Sequence, residues 1–292
     1  MRVLVAGASG RLGSLLAQKF HGQGLSVLAT GTEDTLNTTV TTPLDITDFH
    51  AVRRVVNDFK PDIVINSAAW TDVDGCTRDP EKAIRINSFG AQNLANVAFE
   101  CGAWILHMSS NEVFSGKTQT PYHEYDVTQA INPYGYSKWL AERAVMAVNP
   151  RHMIVRTAWL FAHGGKNFIQ SVLGAVRAGK PLRVVTDESA NPTYATDLAE
   201  ALTQLVQLQR AGIYHLVNQG YASRWEFARY LLDASGFQDV PIEKITLAEF
   251  GRPSTPPEFS PLNNTIAASC GIQLRSWQAA VDAFLEYEKV HG

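Results

Sequence analysis

Tyr134 and Lys138 stand four positions apart in "NPYGYSKWLAERAVMAV", directly after a proline. On a helix a four-residue step rises about 6 Å and returns to nearly the same face, so the phenol and the amine are expected to point together. A free phenol titrates near ~10, too high to move a proton readily at neutral pH. A neighbouring ammonium stabilises the phenolate and lowers that value. Ser110 closes the apolar run "AWILHMSS" and supplies a hydroxyl that can hold a carbonyl or alcohol beside the phenol. Tyr136 falls on another side of the helix and is expected to pack.

Such a set becomes a redox site when a nicotinamide lies next to it, and the N-terminus offers a place for one. "VLVAGASGRLGSLLAQKF" puts Gly7, Gly10 and Gly13 between a short apolar run and a helical pattern. Glycines are needed where side chains would keep a pyrophosphate away, and the following helix start presents free N–H groups to it. The second apolar run ends "VLATGTED", with Glu33 and Asp34 placed late for binding a ribose. Arg11, in the glycine turn, is expected to face a 2′-phosphate, which leans toward NADPH without settling NADPH against NADH. In "LDITD", Asp45 is placed to accept from an adenine amino group, and Asp48 reads as the N-cap of the next helix. The small residues of "NSAAW" let backbone lie against a cofactor.

These residues need a frame that brings strand ends together. Short apolar runs at 3–6, 25–30, 62–69, 103–110 and 152–161 alternate with helical stretches, including one long pattern from Pro80 to Gly102. That alternation predicts an α/β protein with a parallel sheet covered on both faces. Beyond residue 160 the alternation loosens, which divides the chain into residues 1–160 and 161–292, the second part interleaved with the first. The 292 residues are 45% hydrophobic and 18% charged, with a net charge of −3 and no basic block, so neither nucleic acid nor a membrane is expected as a partner. Cys76, Cys101 and Cys270 are too scattered for a disulfide framework or a metal site, and no metal is expected. Nothing in "MRVLVAGASG" reads as a signal peptide, so a reduced, cytoplasmic setting is expected.

Taken in order, GASGRLG, LDITD, NSAA, SSNEVF and YGYSK resemble the extended short-chain dehydrogenase/reductases. "PDIVINSAAWTDVDGC", "INPYGYSKWLAE", "VRTAWLFAHGGKNF" and "NPTYATDLA" resemble, more narrowly, the dTDP-4-dehydrorhamnose reductase family, over nearly the whole chain. The resemblance implies a Rossmann-like doubly wound parallel sheet, residues 1–160, with a smaller α/β substrate-binding region, residues 161–292. It implies hydride transfer from NADPH or NADH to C4 of a nucleotide-linked keto sugar. It makes Tyr134 the proton donor and Lys138 its partner. Gly7, Gly10, Arg11, Leu12, Gly13, Asp45, Ile46, Ala68, Ala69 and Trp70 fall on dinucleotide contacts. Ser110, Asn111, Trp159 and Asn167 fall on substrate contacts. A homodimer is common in the family.

The chain departs from the family at three places, one of them "VDGCT", which lacks the family's Ala/Cys-Glu ending. Where the family has Ser-Thr-Asp-Tyr-Val-Phe, this sequence has Ser-Ser-Asn-Glu-Val-Phe at 109–114. An arginine that would meet a pyrophosphate is missing from "PPEFSPL", with Arg252 close by. Glu112 stands where related nucleotide-sugar dehydratases carry a glutamate, so an epimerase or dehydratase with bound NAD is one alternative. A non-catalytic, cofactor-binding regulatory subunit is the other.

Overall fold

The computed structural model describes residues 1–32, 42–165 and 167–291. Seven parallel strands form the main sheet: β1 (Arg2–Ala6), β2 (Ser26–Gly31), β3 (Thr42–Pro43), β4 (Ile63–Asn66), β5 (Trp104–Ser110), β6 (His152–Thr157) and β7 (Gly212–His215). Their spatial order is β7-β6-β5-β4-β1-β2-β3, so the winding reverses between β1 and β4. Open α/β sheets bind ligands at that reversal, outside the carboxyl ends of the strands. The strands are apolar on both faces because both are covered. Leu12, Leu16 and Phe20 of α1 (Arg11–Gly22) and Leu198, Leu202 and Leu205 of α6 (Ala195–Leu208) pack one face. Val52 and Val56 of α2 (Phe49–Phe59), Leu94 and Ala98 of α3 (Gly90–Glu100), and Ala141 and Val145 of α4 (Pro133–Val148) pack the other.

The region after residue 160 contains α5 (Phe168–Arg177), α6, α7 (Arg224–Ala234) and α8 (Trp277–His291). Phe161, Phe227, Trp277 and Phe284 centre a separate core there. Strand β7 comes from this region and pairs with β6, Tyr214 opposite Val155.

Two expected elements are interrupted. The long helix from Pro80 winds as a π-helix at Ile84–Phe89 before α3 begins. That turn aims Asn87 inward, and Gly90 lets the helix close on Ile46, where a Cβ would come within 2.6 Å. The run 152–161 breaks after Thr157. Trp159 takes a left-handed backbone with φ 39°, and Leu160–Phe161 pairs instead with Thr193–Tyr194. A bulky side chain at positive φ costs about 1–3 kcal/mol and is found mainly at functional sites. Among the described residues no helix is long and apolar enough to cross a membrane.

Candidate active site

Helix α4 starts under tight local control. Asn132 caps it by accepting from Gly135 N–H at 2.8 Å, and Pro133 occupies the first turn, where its missing N–H is not needed. Gly135 has no room for a side chain, since a Cβ there would sit 2.0 Å from the Glu112 carbonyl oxygen. The helix start is thereby pressed against the turn that follows β5. In that turn Ser110 accepts from Glu112 N–H at 3.2 Å and donates to Asn111 Oδ1 at 3.3 Å.

This packing brings Ser110, Asn111, Glu112, Tyr134, Lys138 and Trp159 to one cavity of about 730 Å³, which Gly10, Arg11, Leu12 and Gly13 also line. A second cavity, about 490 Å³, extends over the ends of β1, β2 and β4. It is lined by Gly7, Asp45, Ile46, Ala68, Ala69 and Trp70, and Ser9, Gly10, Ser67 and Ala69 belong to both spaces. The two form one trough across the reversal of strand order. The glycine turn is as close-fitting as its spacing suggested. Gly7 has φ 80°, a Cβ there would lie 2.5 Å from Ala68 N, and a Cβ on Gly13 would lie 2.3 Å from the Gly7 carbonyl oxygen. A dinucleotide fits this donor set: backbone N–H groups at the start of α1 face the joined cavities, and side chains are excluded where a pyrophosphate would lie.

Several side chains that sequence reasoning passed over hold the trough in shape. Asn87 accepts from Trp70 N–H at 2.7 Å and donates to Trp70 C=O at 3.1 Å and to Ser137 Oγ at 2.9 Å, tying the strand-end loop to α4. Asn66 accepts from Ala68 N–H at 3.1 Å and meets His107 Nδ1, also at 3.1 Å. Burial, then the Lys138 charge, push His107 well below its usual value and keep it neutral. Lys82 stacks 4.4 Å from the Trp70 ring and, with Arg85, adds positive charge to the second cavity. Polar residues inside a helical pattern gave no sign of the Asn87 contacts, because those depend on the π turn.

Two expected roles are revised. Arg11 lines the larger cavity, not the second one, and its guanidinium packs on Gly165, whose Cβ would lie 2.5 Å from it. Its position does not support contact with a 2′-phosphate beyond β2. Glu33 and Asp34 lie outside the described residues. Asn167 lines neither cavity; it caps α5 by accepting from Gln170 N–H at 3.0 Å and donates to the Ala162 carbonyl at 2.7 Å. Asp45 lines the second cavity, where its Oδ1 accepts from Thr47 N–H and Oγ1, both at 2.8 Å. Arg252, nearest to the missing arginine, is tied to Asp74 at 3.0 Å. Arg224 stacks 3.6 Å from the Trp159 ring and pairs with Glu188 at 3.1 Å.

The electrostatics also differ from the expectation of an acidified phenol. Burial, and next the Glu112 charge, push Tyr134 up, while a hydrogen bond with Ser110 pulls partly back. Lys138 does not set the phenol's affinity for its proton, because the desolvating pocket and the carboxyl across it dominate. Tyr134 therefore stays protonated and is a donor. Burial lowers Lys138 to about 8, opposed by Glu142. Glu142 itself is buried with Arg156, Nε to Oε1 and Nη2 to Oε2 both 2.8 Å, and accepts from Ser109 at 2.5 Å. Burial raises Glu112 to about 7, with the Asn132 amide lowering it and Glu188 raising it. Cys76, buried beside these groups, is raised by burial to about 11 and is an inert thiol.

Residues 1–290 match the family described as the RmlD substrate binding domain. The chain belongs to this family. Among similar proteins is the spore coat polysaccharide biosynthesis protein SpsK of Bacillus subtilis, 36% identical over 98% of this chain and 97% of that protein. A dTDP-4-dehydrorhamnose reductase from Clostridium acetobutylicum superposes with a TM-score of 0.92 at 32% identity, over 99% of this chain and 100% of the other. A dTDP-4-dehydrorhamnose reductase from Bacillus anthracis, crystallised with NADP, superposes with a TM-score of 0.90 at 29% identity, over 98% and 99%. RmlD membership thus rests on sequence and fold along the full trough.

Proposed function

We propose that this RmlD-family chain reduces the 4-keto group of a nucleotide-linked 6-deoxy sugar, with dTDP-4-dehydrorhamnose the first substrate to test and NADPH or NADH as reductant. The observation that carries the reading is the convergence of Tyr134, Lys138 and Ser110 with the glycine turn in one cavity. The named activity of the Clostridium and Bacillus anthracis relatives, and the NADP in the latter, support it.

The reduced dinucleotide supplies hydride when bound. Gly7, Gly10, Leu12 and Gly13 would hold its pyrophosphate side by backbone contact, with Ala68, Ala69 and Trp70 lining the neighbouring cavity. Lys138 Nζ has no hydrogen-bond or ion-pair partner among the described residues and is available to ribose hydroxyls. Ser110 and Tyr134 hold the ketone oxygen. As negative charge develops there, the Tyr134 phenol gives up its proton, worth about 10²–10⁴ in rate for a positioned acid. Trp159, fixed in its left-handed turn under Arg224, forms the far wall for the sugar. Free cysteines suit a reducing, cytoplasmic setting for such an enzyme.

Dehydration is disfavoured by Asn111. Its amide has no acidic proton and is held by donation to Ser260 Oγ at 2.7 Å. A purely regulatory role does not account for an intact tyrosine and lysine facing a cavity. The deciding experiment is a panel of nucleotide 4-keto-6-deoxy sugars with NADPH and with NADH. Turnover is expected with at least one pair, and Tyr134→Phe is expected to lose about 10²-fold or more in kcat while still binding dinucleotide. No turnover by folded protein across the panel would refute the reductase reading.

A further inference from the structure

Glu112 is not needed for ketone reduction, yet it lines the cavity that holds the reacting groups. Its two oxygens differ. Oε2 is held by the Asn132 side-chain amide at 2.7 Å, and Asn132 is itself fixed by capping α4 and by donating to the Thr255 carbonyl at 3.1 Å. Oε1 has no hydrogen-bond partner among the described residues, and it is not sealed from solvent. The carboxyl is therefore held through one oxygen and free at the other, on a residue that lines the same cavity as Ser110 and Tyr134 and packs against Gly135.

We infer that Glu112 is a second acid–base residue of this site, which removes and returns a proton on the ring carbon next to the ketone. The inference rests on the reading of the site as a keto-sugar site. A ketone oxygen held by Ser110 and Tyr134 makes the neighbouring C–H bonds acidic. The Glu112 carboxylate takes one such proton; the C–H electron pair becomes the C=C bond of an enol. The carbonyl π pair moves to oxygen, which takes the Tyr134 proton. Reversal restores the ketone, so no oxidant or reductant is consumed. Burial holds the Glu112 acid near 7, with Asn132, Arg252 and Arg224 favouring the carboxylate and Glu188 opposing it. A base of that strength exists in both forms at neutral pH, which suits taking and returning a proton.

The test incubates the intact protein with a nucleotide 4-keto-6-deoxy sugar in D₂O, with NADP⁺ and no reduced cofactor, and follows the sugar by proton NMR and mass. Wild type is expected to place deuterium beside the ketone at least ~10-fold faster than the enzyme-free control. Glu112→Gln, confirmed folded by circular dichroism, is expected to lose exchange by ~10-fold more than it loses NADPH-dependent reduction, and Glu112→Asp to restore part of it. Wild type that reduces the ketone but exchanges no faster than the control overturns the inference. So does Glu112→Gln exchanging like wild type. Exchange without reduction on any substrate would instead refute the reductase reading and support Glu112 as a base.

Discussion

Replacing Lys138 with methionine should make the protein more stable and less active. The side chain is 3% exposed, and desolvation lowers its affinity for a proton from 10.5 to about 8. At about 1.4 kcal/mol per pH unit, that drop is about 3 kcal/mol of destabilisation when the amine is charged. Below pH 8 both folded and unfolded chains carry the ammonium, so the native state bears the whole cost. Between about 8 and 10.5 the unfolded chain still binds the proton and the folded one does not, so native stability rises with pH. Above 10.5 both are neutral and the cost is gone. Methionine keeps the length and packing without the charge. Urea denaturation at pH 7, 8 and 9 should therefore show Lys138→Met more stable by up to about 3 kcal/mol at pH 7, with the gap shrinking as pH rises. Reductase turnover should fall in the same variant. A variant no more stable than wild type at pH 7, or a gap that does not change with pH, would refute the electrostatic reasoning.

Glu142→Gln leaves the Arg156 guanidinium buried without its carboxylate and should cost about 3–5 kcal/mol by urea midpoint; a loss below about 1 kcal/mol would show the pair to be idle. Gly135→Ala forces a Cβ to 2.0 Å from the Glu112 carbonyl oxygen, so it should cost at least about 2 kcal/mol and depress kcat, read by denaturation and initial rates. Asn87→Ala strips partners from both Trp70 backbone groups; a stability loss of about 1–3 kcal/mol and weaker dinucleotide binding, followed by fluorescence titration, are expected.

The parts of this site that could be read from the sequence are those whose geometry is local. Gly7, Gly10 and Gly13 must bend one turn, and Tyr134 and Lys138 share one helical face, so spacing alone places them. The strands were legible because both of their faces are buried and their apolar runs are continuous. The Trp159 kink was not legible, because "RTAWLF" is as apolar as any strand and only the competing pair Thr193–Tyr194 draws its end away. Asn87 was hidden for a related reason: its direction depends on the π turn, which helical periodicity does not report. Asn167 was placed at the substrate by family resemblance alone, and its own neighbours make it a helix cap instead. The phenol's acidity was misjudged in sign. The lysine was visible in the sequence, but the desolvation and the facing carboxyl that outweigh it arise only on folding.

Strand β7 gives the assembly of this sheet an order. Its backbone reaches β6 only after some fifty intervening residues have emerged, and Leu216 N–H bonds the Arg156 carbonyl at 3.0 Å. Until then β6 stands as an open border with its amides unmatched, a template for pairing with another nascent chain. A gene fragment encoding residues 1–160 would keep that border permanently uncovered. Aggregation during synthesis, cured by supplying the downstream half in the same polypeptide, is the behaviour this connectivity dictates.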